Sequence, residues 1–256
     1  MGLSVVAAAI ALATPQQFLL AHQLPNGSFA EQSGGSATTL TAWSLLALRS
    51  AHVATDDRYL RAHEDDLQTP TEVALGVLAE ARPSPSLIAR LDSTPDDSTI
   101  NGAIWKLLAF ARLGRNPPQA AVTFVLRNQA RGGGWSWAPH VAPDSNDTAV
   151  AIEALRAAGV GGSTVRRGIA YLRKLESHDG GFPLVPGRAS DAQSTAWAIQ
   201  AFVAARATPP RPAFRYLARL RNRDGSYRYS RRYAVTPVWV TAQVLPALER
   251  RAFPLG

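Results

Sequence analysis

The chain has 256 residues, 46% of them apolar, no cysteine and a formal net charge of +8. The lack of cysteine excludes a disulfide framework, a thiolate nucleophile and cysteine-ligated zinc. The apolar content can fill a core, and with no compositional break or flexible linker the length points to one domain over residues 1–256.

The chain opens on an apolar stretch, Leu3 to Ala13. It is similar to the apolar part of a signal peptide, with Ala11-Leu12-Ala13 as a cleavage-site pattern, but no basic segment precedes it. It also lies where a first helix is needed, just before Phe18, and the helical reading is favoured. No stretch reaches the roughly 20 apolar residues of a membrane span.

From Phe18 onward the chain repeats a phrase. An aromatic–aliphatic pair is followed by Gln or a charged residue, then by Gly, any residue and an aromatic. The copies are Phe18-Leu19…Gln23…Gly27-Ser28-Phe29, Phe124-Val125…Gln129…Gly133-Gly134-Trp135, Tyr171-Leu172…Glu176…Gly180-Gly181-Phe182 and Tyr216-Leu217…Arg221…Gly225-Ser226-Tyr227. A helix runs into the Gln position, and the Gly allows the tight backbone that stops it. The Gln can bond free backbone groups at that helix end, and the aromatic can fold back as a plug. A second helix follows each time: Thr41-Ala42…Leu45…Ala47-Leu48, then Thr148 to Leu155, Thr195 to Phe202 and Thr241 to Leu248. Its many small residues permit close approach on several sides, which makes it the inner helix.

Two degenerate units lie between the first and second clear copies. Tyr59-Leu60…Glu64 precedes a second helix at about Thr71 to Ala81, and Leu87-Ile88…Asp92 precedes one near Asn101 to Leu113. Start positions 18, 59, 87, 124, 171 and 216 define six units and predict twelve helices. Pro- and Gly-rich joints at Arg82–Pro85, Asn116–Pro118, Gly159–Gly162 and Thr208–Pro212 separate them.

The charge is concentrated at the end of the chain. Residues 206–256 hold eleven Arg against Asp224 and Glu249, a net +9, which leaves −1 for the rest. Arg228, Arg231 and Arg232 leave the last loop and mark a surface for an anionic ligand or an anionic envelope surface, weighed against a merely solvated face. No nucleic-acid-binding motif accompanies them, so nucleic acid is an unfavoured partner. The preference for Arg over Lys (only Lys106 and Lys174) suggests a GC-rich bacterial genome.

The repeated phrase resembles the QW motif of terpenoid cyclases and the related repeats of protein prenyltransferase β subunits. Arg167-Gly168-Ile169-Ala170-Tyr171-Leu172 with Glu176, Gly180 and Phe182 is close to the full motif, with the Gln and Trp positions substituted. The resemblance implies an all-α fold, an α/α toroid (α6/α6 barrel) of six helix pairs. The chain is also similar to actinobacterial squalene-cyclase-repeat proteins that carry no other catalytic domain, through Asp191-Ala192-Gln193-Ser194-Thr195-Ala196-Trp197-Ala198 and Thr236-Pro237-Val238-Trp239-Val240-Thr241-Ala242.

The family's chemistry is another matter. Class II cyclases protonate an alkene with the middle Asp of an Asp-x-Asp-Asp-Thr-Ala motif. Here Asp144-Ser145-Asn146-Asp147-Thr148-Ala149 keeps the frame but sets Asn146 at the acid position. An amide cannot supply that proton. Asp144 and Asp147 remain as candidate acids of a relocated site, against the plainer reading that Asp144 and Asp191 cap helices. Protein prenyltransferases need Asp, Cys and His on zinc. The matching positions hold Asn146 and Thr148, or Gln193 and Thr195, and the five His show no metal spacing. No metal and no cofactor is therefore implied. A pair such as Asp144 with Asp191 has the residue types of a sugar-cleaving site, as many sequences do. Trp43 and Trp197 share one inner-helix position, two after the Thr. With Asn146, Asp191 and Trp239 they are candidates to line a ligand cavity, weighed against plain packing.

The favoured function is a non-catalytic toroid, monomeric, secreted or at the cell surface, that binds a small apolar or cofactor-like ligand or a surface partner. Cobalamin carriers use a similar toroid, an analogy of fold only. The alternative is a class II terpene cyclase with a degenerate acid motif.

Overall fold

The computed structural model describes residues 12–31 and 37–255. Among the described residues there are twelve α-helices and no β-strand, only isolated bridges. Six form an inner ring: α2 (Thr38–Ser50), α4 (Pro70–Ala79), α6 (Ile100–Arg112), α8 (Ser145–Ala157), α10 (Ala192–Ala204) and α12 (Pro237–Leu248). Each packs on the next, and α12 packs on α2, which closes the circle. The outer helices are α1 (Pro15–Ala21), α3 (Arg58–Ala62), α5 (Pro85–Ser93), α7 (Gln119–Arg127), α9 (Gly162–Leu175) and α11 (Arg211–Leu220). The α/α toroid read from the repeats is the fold, and Thr148 to Leu155 lies on an inner helix as expected.

Burial explains the two helix types. Inner helices such as α8 and α10 bury nearly every residue from the first turn onward, which their Ala, Ser and Thr permit. Outer helices bury one stripe; in α11 it is Ala213, Tyr216, Leu217 and Leu220, with Arg on the other face. The packing order differs from the sequence order. Each outer helix lies mainly on the inner helix of the preceding unit: α3 on α2, α5 on α4, α7 on α6, α9 on α8, α11 on α10, and α1 on α12. The first helix of the chain is therefore the outer partner of the last.

The expectation for the first helix needs correction. Helix α1 starts at Pro15, capped by Thr14 in a reciprocal capping box with Gln17. Leu12 and Ala13 are not helical, and the Ala13 N–H donates to the Arg223 carbonyl across the ring closure. Pro15 after a Thr cap sets the start, because Pro suits the first helical position. Residues 3–11 of the expected helix lie outside the described residues.

Two bonds recur around the ring. The backbone N–H of each loop aromatic donates to the inner-helix Thr of its own unit: Phe29 to Thr41 at 3.0 Å, Trp135 to Thr148 at 2.9 Å, Phe182 to Thr195 at 2.9 Å and Tyr227 to Thr241 at 3.0 Å. All four aromatics are buried, so the Thr hydroxyl meets an N–H that water cannot reach. The carbonyl two residues after the aromatic then accepts an N–H from the first turn of the preceding inner helix: Trp137 from Asn101, Leu184 from Ser145, and Tyr229 from Ala192, at 3.0, 2.9 and 2.7 Å. The loops are thus the couplings between units. The motif Gln bonds the loop rather than its own helix end: the Gln129 amide donates to the carbonyls of Gly133 and Thr164, and Gln23 donates to that of Gly27.

Candidate functional site: rim and axis of the toroid

All six inner helices start at one rim. There Asp144 caps α8 by accepting the Asp147 N–H at 2.8 Å. Asp191 caps α10 by accepting the N–H and hydroxyl of Ser194 at 2.7 and 2.9 Å. Both carboxylates satisfy the free N–H groups of a helix start, and this helix-end geometry is the reading the spacing favoured. Burial raises the Asp191 pKa to about 6, against the pull of its Ser194 bonds. Tyr171 and Tyr216 brace the two caps by donating to the carbonyls just before them, at Pro143 and Ser190, at 2.7 and 2.6 Å.

Asp147 is different. It is buried, and its Oδ1 accepts the Asn101 amide from α6 at 2.7 Å. Asn101 in turn accepts the Thr71 hydroxyl from α4 at 2.7 Å. A polar chain thus spans three inner helices at the rim. Burial, with the Asp144 carboxylate next to it, pushes the Asp147 pKa up to about 8. Asn146 stands beside it, half-buried, with its Oδ1 accepting the Ser145 hydroxyl at 3.3 Å.

Below the rim the axis is filled by rings. Trp43 and Trp105 lie 5.4 Å apart, and each is 6.0 Å from Trp197. The three pairs meet edge to face, the favoured aromatic geometry. Phe253, from the segment after α12, packs on all three at 6.1, 6.3 and 5.7 Å. The Trp197 indole donates to Gln243 on α12 at 2.9 Å. Trp43 and Trp197 do converge, on each other and on Trp105 and Phe253. Trp239 sits half-buried in the first turn of α12, where its backbone N–H donates to Glu31.

The Arg-rich unit is divided in its uses. Arg221 reaches across the closure to the Ala13 carbonyl at 2.6 Å, and Arg219 caps the Asp179 carbonyl at a short distance. Arg228 holds the Arg231 carbonyl at 3.2 Å. Arg231 and Arg232 are exposed. Arg219, Arg228, Arg231 and His178 line an outer groove of about 680 Å³ together with Asp179 and Leu220. Arg232 lies instead over the Tyr233 ring. Among the described residues, no three His, Asp or Glu side chains converge as metal ligands, and no helix is long and apolar enough to cross a membrane.

Among solved structures, the chain is similar to an ent-copalyl diphosphate synthase from Streptomyces platensis, at 19% identity over 83% of this chain and 50% of that one, with a TM-score of 0.56. It spans about half the length of that protein. A type II terpene cyclase from Scytonema, MstE, aligns over 92% of this chain and 95% of its own at 15% identity and a TM-score of 0.51. The fold is the terpenoid-cyclase-like toroid. A glycosidase aligns over 92% of this chain and 94% of its own, at 14% identity and a TM-score of 0.47. No protein-family model matches the chain, and no curated protein matches its sequence. The likeness between this toroid and its neighbours is one of fold.

Sequence reasoning missed four residues of this toroid. Asn101 supports Asp147 from another unit. Glu31 serves α12 from the opposite end of the chain. Phe253 lies outside the repeat and carries no motif. Glu153 did leave a signal: it is the one charged residue within the apolar run Thr148 to Leu155.

Proposed function

We propose that this chain is a non-catalytic toroid that binds a small ligand or a surface partner. The observation that carries this reading is the filled axis. Trp43, Trp105 and Trp197 pack edge to face through its centre, and Phe253 packs against all three. A long isoprenoid would have to displace them before it could fold there. Asn146 at the acid position supports the same conclusion, since an amide does not protonate an alkene. The groove of Arg219, Arg228 and Arg231 supports an anionic group on the ligand or partner.

Two measurements test it. Squalene, oxidosqualene and geranylgeranyl diphosphate should be recovered unchanged after prolonged incubation with the protein. Binding to phosphorylated ligands and anionic vesicles should fall steeply with salt, as the Debye length shrinks from about 10 Å at 0.1 M to about 3 Å at 1 M. Changing Arg228, Arg231 and Arg232 together to Gln should weaken it. Equal binding by the triple variant would reduce the patch to a solvated face.

One observation favours the second reading, a cyclase with a relocated acid. Asp147 has the burial and the raised pKa, about 8, of a carboxyl held protonated at neutral pH. A cyclic product lost on Asp147→Asn would establish that reading in place of the first.

A further inference from the structure

The segment after α12 turns into the toroid. Phe253 is 4% exposed, and its ring lies among Trp43, Trp105 and Trp197. Its backbone N–H donates to Oε2 of Glu153 at 2.6 Å. Glu153 is fully buried on α8, and its other oxygen, Oε1, has no hydrogen-bond partner. Burial pushes this carboxyl well above the usual range, eased only by the Phe253 N–H. On the neighbouring α10, one turn past Trp197, the buried Gln200 also has an unpartnered Oε1.

The scaffold does not require an acid here. Five residues after the inner-helix Thr, the other clear units carry Leu46, Gln200 and Pro246. A fully buried carboxyl that receives a single N–H is a costly feature with an acceptor to spare. Three indoles and a carboxyl that meet on one residue form the surroundings in which proteins hold organic cations.

We propose that the axial chamber is a ligand site now occupied by the Phe253 segment, and that its free ligand is a primary arylalkylammonium. The ligand ring takes the place of the Phe253 ring among the indoles. Its ammonium takes the place of the Phe253 N–H and donates to both oxygens of Glu153. The positive charge supplies the counter-ion that lets the buried carboxyl ionise, and the indole faces attract it as well. A neutral arene fills the ring space but leaves Oε1 unpaired. A carboxylate ligand is repelled. Because segment and ligand compete for one space, apparent affinity equals the intrinsic affinity multiplied by the fraction of molecules with the segment out of place. The proposal rests on the reading of the toroid as a binding protein, and a neutral probe separates the two.

The test is calorimetric titration with phenethylammonium and with ethylbenzene, on the whole chain and on a chain ended after Arg251. The shortened chain should bind phenethylammonium at least tenfold more tightly than the whole chain. Glu153→Gln in the shortened chain should lose at least tenfold for the amine and leave ethylbenzene unchanged. If both probes bind but Glu153→Gln affects neither, the chamber binds and the ammonium assignment is wrong. If the shortened chain binds the amine no better than the whole chain, the segment is ordinary core and the proposal fails. A readout on the intact chain covers the case in which shortening disrupts folding. Saturating phenethylammonium should speed hydrogen exchange across residues 252–255, and unchanged exchange there would overturn the proposal.

Discussion

Glu31 and Trp239 are 208 positions apart, yet the Glu31 carboxylate accepts the Trp239 backbone N–H at 2.8 Å. It also accepts that of Val238 at 3.1 Å. Three other junctions in the ring achieve this coupling with a backbone carbonyl, two residues after the loop aromatic. Glu31 is two residues after Phe29, so it holds the same place but uses its side chain. Helix α12 needs this, because its own cap residue, Thr236, has a left-handed backbone and gives no side-chain bond. A carboxylate at a helix N-terminus also meets the positive end of the dipole. Glu31→Ala should therefore cost about 1–2 kcal/mol, in the range of a lost cap. Thermal melts of Glu31→Ala and Glu31→Gln should rank wild type above Gln and Gln above Ala. Unchanged melting for Ala would mean that the ring closure does not depend on this bond.

The repeated Thr-to-aromatic bond makes its own prediction. Thr195→Val keeps the shape of the side chain and removes the acceptor for the buried Phe182 N–H. Leaving that donor unpaired should cost roughly 1–3 kcal/mol. Thr195→Ser retains the hydroxyl and should cost less. Denaturant midpoints of the two variants test this, and an equal loss in both would assign the cost to packing.

Backbone strain at the helix ends points to a stabilising change. Helices α8 and α10 end in the same way, with a left-handed residue two positions past the helix: Gly159 after α8 and Arg206 after α10. Arg206 has φ 55 and is exposed. Glycine occupies that conformation without Cβ strain, so Arg206→Gly should stabilise the fold by about 0.5–1 kcal/mol. The opposite holds at Gly225, where a Cβ would run into the Thr14 carbonyl across the ring closure. Gly225→Ala should lower the melting temperature while Arg206→Gly raises it.

Asp147 makes stability depend on pH. Its folded pKa, about 8, lies above the roughly 3.9 of an unfolded aspartate. Between those values the folded chain holds a proton that the unfolded chain releases, so stability falls as pH rises. The contribution is fully present below about pH 4 and is lost as pH passes through about 8. An amide at the same place has no proton to lose and can still accept from Asn101. Asp147→Asn should match wild type near pH 4 and melt higher than wild type at pH 8. A constant difference in melting temperature across that range would refute the raised pKa.

Much of this protein was legible in the residues alone. The constant register of Gly-x-aromatic and Thr-Ala identifies the units, and helical periodicity assigns inner and outer helices, because both depend on contacts a few residues apart. The caps at Asp144 and Asp191 were legible for the same reason. The start of α1 was not, since apolar character in Leu3 to Ala13 outweighed the Thr14-Pro15 signal in that reading.

What the tertiary structure decided lies between units. Closure places α1 against α12, so Glu31 can serve Trp239 and a loop from one end of the chain can cap a helix from the other. The Asp147 pKa depends on burial in the assembled ring and on Asn101, a residue of another unit. The axis is filled because four rings, Trp43, Trp105, Trp197 and Phe253, converge there from three inner helices and the segment after α12. Periodicity records which face of a helix is buried. It does not record what the buried face meets across a ring, because that partner is chosen by closure in three dimensions and not by spacing along the chain.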